Sequence, residues 1–167
     1  MWLRIALITA MAGALVVCRP APQAPVDKAA VETTLRGFVS AFQNYDFGGV
    51  SALFERGGRW IDSSKPLPAY QVPDFFRSAQ SAGVEIRYEL ADVSIDGHGE
   101  IAWATWTTLG TFSATSERGK AFLRANLVTT DTAQSEWRLT FVESAVLRRS
   151  SEGWRIVLGH TTQLPAQ

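Results

Sequence analysis

WRLTFVESAVLRR (residues 137–149) and WRIVLGHTTQL (residues 154–164) decide the fold, because both alternate apolar and polar side chains with a period of two. Only Ser150-Ser151-Glu152-Gly153 separates them, so they read as an antiparallel hairpin with one buried face. In the first run Trp137, Leu139, Phe141, Glu143, Ala145 and Leu147 share a face. In the second, Trp154, Ile156, Leu158, His160, Thr162 and Leu164 do. Each apolar stripe therefore carries one ionisable residue. A loop that pairs Arg149 with Trp154 sets Leu147 opposite Ile156, Ala145 opposite Leu158 and Glu143 opposite His160. A carboxylate and an imidazole on one inward face are either pocket groups tuned by desolvation and mutual charge, or a buried pair that satisfies itself. A one-residue change of turn type would break that register and leave the two groups diagonal.

Upstream of the hairpin, strand patterns run over Val84 to Ile95 and Ile101 to Phe112, joined by a turn at Asp96-Gly97-His98-Gly99. By parity Trp103 and Trp106 sit on opposite faces of their strand, one as core or pocket wall and the other at the surface, an interface or against a helix. Earlier still, Asp27 to Phe42 places Ala30, Val31, Leu35, Phe38, Val39 and Phe42 on one helical stripe. A short helix over Val50 to Glu55 is stopped by Gly57-Gly58, and a strand over Arg59 to Ser63 follows. Ser64-Lys65-Pro66-Leu67-Pro68 reads as a loop, and Asp74 to Ala82 as a helix ended by Gly83. Ser113 to Lys120 is polar, and Ala121 to Thr130 reads either as an extra strand or as an extended loop.

The 167 residues contain no repeat and 46% hydrophobic residues, which suits one domain with a real core. Lys plus Arg and Asp plus Glu number sixteen each and are scattered, so the basic footprint of a nucleic-acid binder is missing. Six Trp and nine Phe suit either a tightly packed core or an aromatic pocket. Arg4 followed by the apolar run Ile5 to Val17 has the form of a signal peptide, shorter than the roughly 20 residues needed to span a bilayer. Export to the periplasm or the medium is expected, with residues 1–18 as signal, 19–26 as a Pro-rich linker and 27–167 as the domain. Cys18, directly after that run, resembles the lipidated cysteine of bacterial lipoproteins, although Val17 departs from the small residue that pattern wants. Lipid on Cys18 would be the sole route to a membrane.

The order helix, helix, strand, helix, then long antiparallel strands gives an α+β domain with helices on one face of a curved sheet. The segments Phe38 to Phe42, Tyr45 to Phe54, Arg59 to Asp62, and Leu147 to Arg149 through Gly153 to Val157 and His160 to Thr162 carry a resemblance. They resemble the helix pair, first strand and terminal hairpin of the NTF2-like superfamily and its SnoaL-like domains, which include the ketosteroid isomerases. The resemblance implies a cone of two or three N-terminal helices on a strongly curved antiparallel sheet. Its open end would hold a small apolar or amphipathic molecule, and its outer sheet face would pair with a second copy in a homodimer. The segment from about Thr115 to Glu136 has no counterpart and reads as an insertion.

By the same resemblance Asp62 falls where the isomerases carry a general-base carboxylate; alternatively it caps the Ser63-Ser64 turn. Phe38 stands where those enzymes use a tyrosine donor, and their second donor falls near Ser144 or Ala145, beside Glu143. Three functions follow: an exported binding or accessory domain; a small isomerase, cyclase or hydrolase moving protons with Asp62, Glu143 and His160; or a dimeric interaction module. Trp60, Phe38, Phe76, Trp103, Phe141 and Leu158 are the expected ligand-binding wall. No cofactor or metal is implied: one candidate histidine without helical His spacing is a poor donor set, and His98 reads as a solvated turn residue.

Overall fold

The computed structural model describes residues 24–62, 65–127 and 135–165. The signal segment with Cys18 and the Ser63-Ser64 turn lie outside these residues. Helix α1 (Lys28–Gln43) starts where the Asp27 side chain accepts the Ala30 N–H at 3.0 Å, and buries Val31, Leu35, Phe38, Val39 and Phe42. Helix α2 spans Phe47–Ala52, earlier than the pattern suggested, because Asp46 caps it by accepting from Gly49 N at 2.8 Å. Strand β1 (Phe54–Asp62) then absorbs Gly57-Gly58, so that pair bends a strand and does not stop a helix. The expected loop contains β2 (Lys65–Pro68). Helix α3 (Val72–Ser81) precedes β3 (Val84–His98) and β4 (Ile101–Ala114), whose turn is therefore tighter than Asp96 to Gly99.

Between β4 and β5 the chain forms helix α4 (Glu117–Asn126), neither the strand nor the loop expected there. Ser116 caps it by accepting from Gly119 N at 3.0 Å, with Glu117 in the first turn and Arg124 in the last, both favourable to the helix dipole. Strands β5 (Glu136–Ser150) and β6 (Gly153–Gln163) form the terminal hairpin. The six strands make one curved sheet in the order β2-β1-β6-β5-β4-β3, antiparallel at every step except the parallel pair β1 and β6. That parallel pair corrects the expected all-antiparallel sheet. A bulge at Asp92-Val93, with Asp92 at φ 51°, adds bend to β3. The core includes fully buried Leu35, Phe112, Leu147 and Ile156, each contributing roughly 1.5–3 kcal/mol by leaving water.

The hairpin register begins as expected, with Arg149 opposite Trp154 and Leu147 opposite Ile156, and then slips. Val146 pairs with Leu158, so Val157 is an extra residue and every later side chain of β6 exchanges faces. Gly159 and Thr161 now point inward, opposite Ala145 and Glu143, whereas His160 pairs with Ser144 on the outer face. The expected Glu143–His160 pair does not exist. Its cause lies in β1, where Trp60 pairs directly with Gly159. A Cβ at Gly159 would overlap the Trp60 ring, so only glycine fits there; in a regular ladder the inward position would hold Leu158.

Gly159→Ala should therefore destabilise the domain by roughly 1–3 kcal/mol, the cost of overpacking a filled site. Thermal unfolding checks this, and an unchanged midpoint would show that Trp60 does not depend on Gly159.

Candidate functional site

The concave face of the sheet and helices α1, α3 and α4 enclose a cavity of about 530 Å³. Its wall is a chain of rings. Trp60 lies 5.1 Å from Phe38, Phe38 4.6 Å from Phe42, and Phe42 stacks on Phe76 at 3.7 Å. Phe76 meets Tyr88 edge-on, and Tyr88 meets Phe112 and Phe141 in the same way. Gly110 makes this cluster feasible, since a Cβ there would stand 2.8 Å from Phe112 and 2.9 Å from Tyr88. Helix α4 contributes Ala125 and Asn126, and its Phe122 packs 5.5 Å from Phe75 of α3. The segment that looked like an insertion thus builds part of the wall.

Glu143 stands at the centre of this apolar surface. Directly opposite on β4, Trp106 donates its Nε1–H to Glu143 Oε2 at 2.7 Å, and the buried Thr108 hydroxyl makes a close hydrogen bond to the same oxygen. Thr161, opposite on β6, faces the same carboxyl. Burial raises the pKa of Glu143; the hydrogen bonds from Thr108 and Trp106, with the facing Thr161 hydroxyl, oppose that shift without cancelling it, and the charge of Asp62 adds to it. Tyr88 is pushed well above the usual phenol value by burial first and then by Glu143 and Asp62, so it remains a protonated donor at neutral pH. Asp62, at the end of β1, lines the cavity from an exposed position. Chemically the site combines a desolvated carboxyl, a second carboxylate and a phenol within an aromatic enclosure.

Of the residues picked from sequence, Asp62, Glu143, Phe38, Trp60, Phe76 and Phe141 line this cavity. His160, Trp103 and Leu158 do not. The imidazole of His160 sits on the outer face, with Thr162 Oγ1 at 3.3 Å from Nε2, because the Val157 bulge turns it away. Trp103 is 43% and Leu158 38% exposed, on that same face. Asp62, Glu143 and His160 therefore cannot act around one ligand, and a metal set built on all three is equally broken. Among the described residues no group of three or more His, Cys, Asp or Glu converges. Sequence reasoning missed Trp106, Thr108, Tyr88 and Thr161. Parity already joined Trp106 to Ala102 and Ala104, and small residues mark the side on which helices pack.

The pH dependence of stability follows from Glu143. Its facing titratable groups are Asp62 on β1 and Tyr88 on β3. With a raised folded-state pKa, the folded protein binds more protons than the unfolded chain between the ordinary carboxyl value and the raised one. Stability contributed by protonated Glu143 is thus fullest below the ordinary value and declines as pH rises through that interval. Glu143→Gln should unfold like wild type near pH 4 and gain on it toward neutral pH, as read by thermal midpoints across that range. A difference that shrinks with rising pH would mean that the hydrogen bonds outweigh burial.

Comparison with known proteins agrees with this architecture. No curated protein matches the chain. Among solved structures, an NTF2-like protein with a cystatin-like fold from Novosphingobium aromaticivorans is similar at 13% identity and TM-score 0.64, covering 84% of each chain. A ketosteroid isomerase-like protein from Erwinia carotovora atroseptica is similar at 19% identity and TM-score 0.58, covering 83% of this chain and 96% of that one. An NTF2-like protein from Cytophaga hutchinsonii shows 12% identity and TM-score 0.61 over 83% and 99%. At such identities these likenesses concern the fold. The profile of the SnoaL-like domain matches residues 31–166, which is most of the sequence, and the chain belongs to the SnoaL-like domain family.

Proposed function

We propose that this chain is an exported domain that binds a small, largely apolar molecule in the aromatic cavity, with Glu143 fixing a polar group of that ligand. The observation that carries this reading is the buried carboxyl of Glu143, held by Trp106 and Thr108 inside a mostly apolar, aromatic-rich cavity of about 530 Å³. Ligand sites are commonly of this kind: concave, mostly apolar, with few polar groups that set orientation. A carboxyl kept only for stability would be better replaced by an apolar side chain, since its burial costs free energy. The export element rests on Arg4 and the apolar run Ile5 to Val17.

Saturation-transfer NMR with small aromatic fragments tests the reading. Hits are expected with wild type, and filling the cavity with Thr161→Trp should weaken them at least about tenfold while the circular dichroism spectrum stays native. No hits, or hits indifferent to Thr161→Trp, would overturn it.

A second reading, compatible with the first, is that the outer sheet face pairs with another copy. Trp103, Val146 and Leu158 lie side by side on β4, β5 and β6 and are 43%, 36% and 38% exposed. This patch supports the dimer reading in place of Trp106 and Trp137, which are buried. Light scattering should give a dimer mass for the full chain and a monomer for Trp103→Glu; a monomeric wild type would contradict it.

A further inference from the structure

We infer that the molecule this cavity takes is an organic cation: an aromatic or alicyclic body carrying an ammonium group that faces Glu143. The inference rests on the binding reading above and adds the charge of the ligand. Three acidic residues line the cavity, Asp62, Asp74 and Glu143, and among the described lining residues there is no Lys, Arg or His. The chain as a whole has equal numbers of acidic and basic residues, so the acidic bias belongs to the cavity. Asp74 is accounted for at the surface by Arg77, whose Nη1 lies 2.6 Å from its Oδ1. The interior charge is therefore that of Glu143, while Asp62 adds an acidic group at the exposed end of β1.

The geometry of Glu143 leaves room for a donor from the ligand. A carboxylate offers about four lone-pair sites, and among the described residues Trp106 and Thr108 are the side chains that hydrogen-bond it, both at Oε2. An ammonium reaching Glu143 would supply a counter-charge that no described lining residue provides. Aromatic faces complete the case, because ring quadrupoles attract a cation by about 0.5–1 kcal/mol when exposed and about 2 or more when desolvated. An anionic ligand would meet acidic groups and negative ring faces, a repulsive arrangement that selects against it. A neutral ligand would gain the apolar contacts and at most a hydrogen bond from a neutral donor, without the charge attraction.

Calorimetric titration of the full chain with three probes of one shape, 2-naphthylmethylammonium, 2-naphthalenemethanol and 2-naphthoate, tests this. The amine should bind at least about tenfold more tightly than the alcohol, with naphthoate weakest, and Glu143→Gln should bring amine and alcohol together. Asp62→Asn, a milder change at an exposed position, should reduce the preference by a smaller factor and serves if Glu143→Gln fails to fold. Equal binding of amine and alcohol would overturn the cationic class while leaving the pocket intact. An amine preference that survives both substitutions would also overturn it. Absence of binding by all three probes, together with no fragment hits, would overturn the pocket reading itself.

Discussion

One extra residue in β6 determines what faces the cavity. Because side chains alternate along a strand, the bulge at Val157 turns every later residue of β6 over, and it does so a few residues before the site. Gly159 is thereby brought under the Trp60 ring, Thr161 against Glu143, and His160 to the outer surface. The β1 ladder slips over the same stretch, between Phe54 and Arg59, so both neighbours of β6 accommodate the irregularity. The bulge couples packing to function: the Trp60–Gly159 contact that it permits closes one wall, and the Glu143–Thr161 contact that it permits completes the polar centre.

That polar centre is held by opposing terms of similar kind. Burial pushes Glu143 toward its neutral form, the Thr108 and Trp106 hydrogen bonds and the facing Thr161 pull it toward the carboxylate, and Asp62 pushes back again. A group so placed responds strongly to whatever enters the cavity, since a cation favours one form and an apolar body the other. The surrounding rings enclose this centre in largely apolar surface. Tyr88, held protonated by the same burial and charges, adds a donor to the wall.

Much of this was legible in the sequence, and the failures have physical causes. The period-two runs, the amphipathic stripe of α1 and Gly83 after α3 located the main elements, because burial on one face leaves a strong pattern. The bulge left no such trace: Leu158 looks as apolar as an inward residue should, and only its neighbour Gly159 hinted that a large ring needed space. The same assumption that apolar means inward selected Trp103 over Trp106, although Ala102 and Ala104 already marked the helix-packed side. Helix α4 was missed because its stripe is short and its N-terminal signal, Ser116-Glu117, lies in a polar stretch. Glu143 was found because a charge on an apolar stripe is costly wherever it occurs, and Asp62 through the resemblance to the ketosteroid isomerases; their true neighbours depended on pairing across strands, which a single sequence does not display.

The most direct measurement is the cross-strand pattern of backbone nuclear Overhauser effects in the terminal hairpin. Glu143 should pair with Thr161 and Ser144 with His160, after a regular pairing of Leu147 with Ile156. Contacts that pair Glu143 with His160 would contradict this register, since the imidazole would then face the cavity and the site would have to be rebuilt around it.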